Sequence, residues 1–121
     1  MAGRILLVED NTIARRNIAL FLERAGYHVT QAGTGEDALR LVEAVDDYDI
    51  VISDLRMGGM ATGLDVLANQ RRLSPRAHAI LMTAFGSDQV KNQATELGAR
   101  YIEKPIDLSA LLNEIKRLFE P

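Results

Sequence analysis

The stretch RILLVEDN, residues 4–11, decides how the chain folds. Its apolar run from Ile5 to Val8 is typical of a strand buried on both faces of a parallel sheet. Two adjacent carboxylates, Glu9 and Asp10, follow directly. Because like charges in close contact disfavour ionisation, a proton or a cation must compensate them. The stretch therefore predicts a buried strand that ends at a charged site.

The rest of the chain repeats this alternation of apolar runs with helical patterns. Predicted strands cover about 4–9, 27–32, 48–54, 78–84 and 99–105, and predicted helices about 12–25, 34–45, 63–73, 87–98 and 107–119. Thr34 and Asp37 form a predicted capping box at the start of the second helix. Strict alternation predicts an α/β fold, a parallel sheet with helices on both faces. The connections are too short to hold a second domain, so residues 1–121 are interpreted as one domain.

Composition excludes several classes of protein. The formal net charge of −3 argues against direct binding to the phosphate backbone of a nucleic acid. The absence of cysteine excludes disulfides and thiolate metal sites. No apolar run approaches the roughly 20 residues of a membrane span, and the N-terminus lacks a signal-peptide pattern. We therefore expect a cytoplasmic protein that does not enter a membrane.

Charged and hydroxyl side chains follow the predicted strands. Glu9 and Asp10 end the first strand, Asp54 the third, Thr83 the fourth and Lys104 the fifth. In open parallel sheets ligands bind beyond the carboxyl ends of the strands, so these side chains should meet at one edge. Three carboxylates without histidine or cysteine favour Mg²⁺. One such carboxylate can also act as a nucleophile toward a phosphoryl group and form an aspartyl phosphate.

Four short blocks carry a family resemblance. LLVEDN (6–11), DIVISDLRM (49–57), ILMTAFG (80–86) and YIEKP (101–105) resemble, in this order, the signature blocks of bacterial two-component response-regulator receiver domains. The resemblance covers nearly the whole chain. It implies a flavodoxin-like (βα)5 fold with the strand order 2-1-3-4-5. It also implies a phospho-accepting switch that catalyses its own phosphorylation and dephosphorylation rather than an enzyme with a separate substrate.

The resemblance assigns roles to the residues at the strand ends. Glu9 and Asp10 match the acidic pair that organises Mg²⁺. Asp54 matches the phosphorylated aspartate, which is also a metal ligand, and the backbone carbonyl of Arg56 is a further implied ligand. Lys104 matches the lysine that pairs with the phosphoryl oxygens.

Other matched positions surround this set. Thr83 matches the hydroxyl residue that turns toward the phosphoryl group. Tyr101 matches the aromatic switch residue that rotates inward when the hydroxyl residue moves. Ala84 and Phe85 flank the site next to Thr83. The peptide bond before Pro105 is cis in the family, although few X–Pro bonds are.

The segment after the third strand departs from the family pattern. Gly58 stands where a proline is usual, four residues after Asp54, and Gly63 comes one residue later than the usual glycine. A second glycine follows Gly58, so ordering this loop costs more entropy and we expect it to be mobile before phosphorylation. Bulky Arg56 and Phe85 flank the path of hydrolytic water in the family, and we hypothesise that they slow loss of the phosphoryl group.

The resemblance also implies partners. A sensor histidine kinase or a histidine phosphotransfer protein would donate the phosphoryl group, and an output domain or a target protein would receive the signal. Ile13 and Leu20 lie on one side of the first helix and off its buried face, where the family meets its kinase. A phosphorylation-dependent homodimer is a further candidate assembly.

Three alternatives compete with this interpretation. Haloacid-dehalogenase-like phosphatases also use an aspartate nucleophile and Mg²⁺, but they need an acid two residues later, where this chain has Arg56. A flavodoxin-like cofactor binder would need hydroxyl or glycine residues after the first strand instead of Glu9 and Asp10. A pseudo-receiver acting only as a scaffold would not need the intact set of acids, hydroxyl and lysine.

Overall fold

The computed structural model describes residues 3–45, 47–84 and 86–119. Within these ranges, five strands alternate with five helices, as predicted. Their bounds are β1 Arg4–Val8, α1 Thr12–Arg24, β2 His28–Ala32, α2 Gly35–Ala44, β3 Ile50–Asp54, α3 Gly63–Leu73, β4 His78–Thr83, α4 Asp88–Glu96, β5 Arg100–Glu103 and α5 Leu108–Phe119. No helix among the described residues has the length and apolar character that crossing a membrane requires.

The strands form one parallel sheet in the order β2-β1-β3-β4-β5. This is the flavodoxin-like order that the family resemblance implies. β1 and β3 lie next to each other at the centre, with Val8 paired to Ser53. The order reverses between β1 and β3, and the crevice at such a reversal is where open α/β sheets bind their ligands. Asp54, the last residue of β3, lies at this point.

Apolar residues along β1 alternate between the two faces of the sheet, because successive side chains of a strand point to opposite sides. Leu6 and Val8 pack into a core covered by α2, α3 and α4. Ile5 and Leu7 pack into a second core covered by α1 and α5. All four side chains are fully buried. The double-sided burial that the apolar run predicts is therefore confirmed.

Two helices begin with the same Thr-x-x-Asp pattern but are capped differently. In α3, the Thr62 side chain accepts from the Asp65 N–H while the Asp65 carboxylate accepts from the Thr62 N–H, which completes a capping box. In α2, the Thr34 hydroxyl accepts from the Asp37 N–H at 3.0 Å. The Asp37 carboxylate instead pairs with Arg40, which also lowers the pKa of Asp37. Only the threonine half of the box predicted at Thr34 is thus observed.

Candidate functional site

Three carboxylates meet at the carboxyl end of the sheet. Glu9 and Asp10 follow β1, and Asp54 ends β3 on the neighbouring strand. One oxygen from each side chain lies within 4.8 Å of the others. Glu9 and Asp54 are buried, at 1% and 7% exposure, while Asp10 faces solvent. The predicted convergence of these acids is therefore confirmed.

Backbone hydrogen bonds fix the residues that follow the strands. The Glu9 N–H donates to the Ala32 carbonyl at 3.1 Å, and the Arg15 side chain donates to the Glu9 carbonyl at 2.9 Å. Between β4 and β5, the Lys104 N–H donates to the Thr83 carbonyl at 2.9 Å. These bonds extend the sheet contacts past the last strand residues. As a result, Glu9 and Lys104 are held in place although both lie outside regular strands.

The Lys104 ammonium bridges two of the acids. Its Nζ donates to Glu9 Oε1 at 2.7 Å and to Asp54 Oδ2 at 2.9 Å. The lysine follows β5, two strands away from β3. The ammonium thus supplies part of the compensation that the adjacent acids require. Sequence reasoning assigned this lysine to the phosphoryl group and did not foresee its contact with Glu9.

Burial and these contacts set the proton affinities of the site. Burial raises the pKa of Glu9, hydrogen bonding with Asp54 raises it further, and the Lys104 ammonium opposes both effects. Burial also disfavours the ammonium of Lys104, but its hydrogen bonds to Glu9 and Asp54 outweigh that penalty and raise its pKa. Lys104 is therefore charged at neutral pH, and Glu9 accepts a proton more readily than an exposed glutamate does.

The donor set suits a hard divalent cation. Glu9 Oε2 is buried and has no hydrogen-bond partner within the described residues. An unpartnered carboxylate oxygen is costly unless a cation or a proton satisfies it. The neighbouring donors are carboxylate oxygens of Asp10 and Asp54, the ligand type that Mg²⁺ and Ca²⁺ prefer. The residues present therefore fit the Mg²⁺ that the sequence predicts.

A cavity of about 180 Å³ opens beside the acids and is lined by Asp54, Arg56, Thr83, Ala84 and Lys104. Thr83 is buried at the end of β4, whereas Ala84 and Arg56 are exposed. One carboxylate, one hydroxyl and two cationic side chains thus surround a single space. Cationic and hydroxyl donors are the groups that bind phosphoryl oxygens. Phe85, the other residue predicted to flank the site, lies outside the described residues.

The Tyr101 side chain reaches Gly86, which precedes α4. Its hydroxyl is buried and has no hydrogen-bond partner among the described residues. A Cβ added to Gly86 would lie 1.3 Å from that hydroxyl oxygen, so only glycine leaves room for it. Lys91 Nζ lies 5.3 Å from the centre of the ring. Gly86 is a neighbour that sequence reasoning missed.

The Lys104–Pro105 peptide bond is cis, as the family resemblance implies. A second cavity, of about 250 Å³, lies between this bond and α1, and its lining includes Glu9, Asn17, Ile18 and Pro105. Pro105 therefore does not line the cavity beside Asp54 but borders the acid cluster from the side of α1.

The arrangement defines a class of protein. A central parallel sheet carries an acid cluster at its switch point, and a lysine after β5 faces that cluster. A family model of the response regulator receiver domain matches residues 5–116, so the chain belongs to this family. The chain is accordingly a receiver domain of the kind found in two-component response regulators.

Particular relatives agree with this assignment. Transcriptional regulatory protein GlrR of Escherichia coli strain K12 is 34% identical over 119 residues, which cover 98% of this chain and 26% of GlrR. A response regulator receiver domain protein (CheY-like) from Methanospirillum hungatei JF-1 has a TM-score of 0.92 at 30% identity, covering 99% of this chain and 96% of that one. A response regulator protein from Burkholderia pseudomallei, solved with a phosphorylated aspartic acid, calcium ion and citrate, has a TM-score of 0.83 at 29% identity, covering 98% and 75%.

Many relatives are much longer than this chain. It spans between 26% and 50% of the length of four curated relatives that match it. Family membership rules out two of the alternatives, the haloacid-dehalogenase-like phosphatase and the flavodoxin-like cofactor binder. The pseudo-receiver is a member of the same family, so a phosphorylation assay is needed to distinguish it from a phospho-accepting receiver.

Proposed function

We propose that the chain accepts a phosphoryl group on Asp54 from a phosphohistidine of a partner protein. An oxygen of the Asp54 carboxylate attacks phosphorus, forming an O–P bond. The N–P bond of the donor breaks, and its electron pair returns to the imidazole nitrogen. The product is an acyl phosphate on Asp54. The same site then hydrolyses this bond, so the chain cycles between two forms rather than turning over a separate substrate.

The observation that carries this proposal is that Asp54 belongs both to the acid cluster and to the cavity beside it. The carboxylates of Glu9 and Asp10 each place an oxygen within 4.8 Å of one of its oxygens. Lys104 Nζ is 2.9 Å from Asp54 Oδ2, and the cavity that Asp54 and Lys104 line is also lined by Thr83. We assign Thr83 and Lys104 to the phosphoryl oxygens, because a hydroxyl and an ammonium can both donate hydrogen bonds to them.

We assign Mg²⁺ to the carboxylates of Glu9, Asp10 and Asp54 together with the backbone carbonyl of Arg56. When bound, the cation neutralises charge on the transferring phosphoryl group. Two observations support this assignment: Glu9 Oε2 has no hydrogen-bond partner in the described ranges, and the neighbouring donors there are all oxygens. The Burkholderia pseudomallei relative with a phosphorylated aspartic acid and a calcium ion supports the same chemistry.

We further propose that phosphorylation shifts the chain between two conformations and so changes its partners. Thr83 and Tyr101 are the proposed moving parts, because Thr83 ends β4 and the Tyr101 hydroxyl is buried beside Gly86, with no hydrogen-bond partner among the described residues. Ile13 and Leu20 are 73% and 48% exposed on α1, which supports a kinase or phosphotransfer protein docking there. An output domain, a target protein or a second copy of the chain would receive the signal. Family membership favours the cytoplasm as the location.

Intact-mass spectrometry tests the assignment directly. The chain is incubated with acetyl phosphate and MgCl2, with and without EDTA. We expect the wild type to gain one phosphoryl group only with the metal, and Asp54→Asn to gain none. Asp88→Asn, an exposed position at the start of α4, is the matched control and should react like the wild type. No gain by the wild type, or an equal gain by Asp54→Asn, contradicts the proposal.

A further inference from the structure

The segment between β3 and α3, residues 55–62, is where the chain departs from its family, and we call it the β3–α3 loop. It contains two consecutive glycines, and Gly59 has φ +102°, a conformation that residues with a side chain rarely adopt. Glycine leaves a loop without a strong preference for one path. Contacts with other elements must therefore define the path of this loop.

The loop is held on its two sides by two different acids. On the side of the acid cluster, the Gly58 N–H donates to Asp10 Oδ2 at 3.3 Å. On the opposite side, the Ala61 N–H donates to Glu36 Oε2 at 3.2 Å. Glu36 lies in the first turn of α2, outside the acid cluster. The loop thus connects α2 to a proposed metal ligand.

The contact between the loop and α2 is close on both partners. A Cβ added to Gly59 would lie 2.5 Å from Glu36 Oε1. A Cβ added to Gly35 would lie 2.6 Å from the Ala61 carbonyl oxygen and 2.7 Å from its Cβ. Ala61 is itself buried, at 8% exposure. The loop and the start of α2 therefore each have a glycine where they meet, and the Glu36 side chain forms the hydrogen bond between them.

We propose that Glu36 is a positioning residue for the metal site: by accepting the Ala61 N–H, it holds the glycine-rich loop in the path that Asp10 and the Arg56 carbonyl need. The inference rests on the proposed function, because it concerns Mg²⁺ binding at that site. The hydrogen bond from the Ala61 N–H to Glu36 takes the place of the conformational restriction that a proline four residues after Asp54 would provide. Glu36 acts through the backbone of the loop and does not contact the metal itself.

Two variants separate the reach of the Glu36 side chain from its charge. Glu36→Gln keeps an oxygen acceptor at the same distance and removes the charge. Glu36→Asp keeps the charge and the preference for a helix N-terminus, but it is one methylene too short to reach the Ala61 N–H. Glu43→Gln, an exposed position at the other end of α2, is the matched control.

The measurements are Mg²⁺ affinity by calorimetry and hydrogen exchange of the loop amides, both on the full chain. We expect Glu36→Asp to bind Mg²⁺ about 10-fold more weakly, the lower end of the effect of losing an outer-shell partner of a metal ligand. The Ala61 and Gly58 amides should also exchange faster. Glu36→Gln and Glu43→Gln should stay within about twofold of the wild type, since the first keeps its acceptor.

Each outcome decides between separate ideas. If Glu36→Asp binds Mg²⁺ like the wild type, the reach of the side chain does not matter and the positioning role is wrong. If Glu36→Gln is the weaker of the two variants, charge matters more than reach, and the positioning role is wrong as well. If the wild type takes up no Mg²⁺, the proposed function itself is wrong, and this inference fails with it. Thermal unfolding of each variant checks that all of them fold. The Glu36→Asp and Glu36→Gln side chains differ little in size, so a difference in folding would not produce the expected difference in Mg²⁺ affinity.

Discussion

Replacing Lys104 with methionine removes the ammonium that bridges two buried acids but keeps an unbranched apolar stem of similar length. In the wild type, Nζ lies 2.7 Å from Glu9 Oε1 and 2.9 Å from Asp54 Oδ2. The side chains of Glu9 and Asp54 are 1% and 9% exposed, and that of Lys104 is 25% exposed. The variant therefore leaves two neighbouring carboxylates almost without solvent and without their nearest cation.

The expected cost follows from these contacts. Breaking a fully buried ion pair by removing one partner costs about 3–5 kcal/mol. The quarter exposure of Lys104 and the ease with which Glu9 takes up a proton reduce this cost, so we expect a loss of about 2–3 kcal/mol in the free energy of unfolding. In a domain of this size, such a loss lowers the melting temperature by roughly 10 °C.

Urea unfolding followed by circular dichroism, in EDTA and in millimolar Mg²⁺, measures this loss. We expect the deficit in EDTA to shrink in Mg²⁺, because a bound cation replaces part of the lost compensation. The deficit should also shrink as the pH falls through the raised pKa of Glu9, since a neutral carboxyl no longer needs the ammonium. A Lys104→Met variant as stable as the wild type in EDTA at neutral pH would refute the view that the ammonium compensates the acids.

Three further predictions concern neighbouring groups. Glu9→Gln should not lower stability in EDTA, because burial and Asp54 already disfavour its charge. Since the folded pKa of Glu9 lies above its ordinary 4.5, its contribution is complete below that value and is lost as pH rises through the raised pKa. Wild-type stability in EDTA should therefore gain more on acidification than that of Glu9→Gln, and parallel pH curves would contradict this. Gly86→Ala should destabilise the unphosphorylated chain by about 1–3 kcal/mol through overpacking, with changed NMR signals of Tyr101, because its Cβ would overlap the Tyr101 hydroxyl. Unchanged Tyr101 signals would count against this packing. Tyr101→Phe should unfold at equal or higher urea concentration than the wild type, because it removes a buried hydroxyl that has no partner within the described part of the chain; a clear drop in the urea midpoint would mean that the hydroxyl is satisfied.

The sequence predicted those parts of the site that depend on strand ends. An apolar run followed by an acid places Glu9 and Asp54 at one edge of any parallel sheet, whatever the order of its strands. The predicted strands nevertheless extend too far, since β1 ends at Val8 and β5 at Glu103. The type of side chain indicates roughly where a strand ends, but the last hydrogen bonds of the sheet determine its final residue.

Contacts that depend on the relative positions of whole elements were beyond the sequence. Glu36 and Ala61 are 25 residues apart, and nothing in their local pattern links the start of α2 to the β3–α3 loop. The capping pattern shows the same limit at short range. Asp37 and Asp65 follow a threonine at equal spacing, but only Asp37 has an arginine three residues later that competes for its carboxylate.

The charge at the site gives a physical reason for the proposed switch to begin at Lys104. When Glu9, Asp10 and Asp54 are all ionised, they and one ammonium carry two net negative charges, the amount that one divalent cation balances. The proposed phosphorylation would replace the single charge of Asp54 with about −1.5 to −2, by analogy with other phosphorylated side chains, so a site balanced by the cation would become negative again. Lys104 has a flexible stem, and its backbone is bonded to the Thr83 carbonyl. We therefore expect the ammonium to leave Glu9 for the phosphoryl oxygens, and the rearrangement to reach Thr83 before it reaches Tyr101.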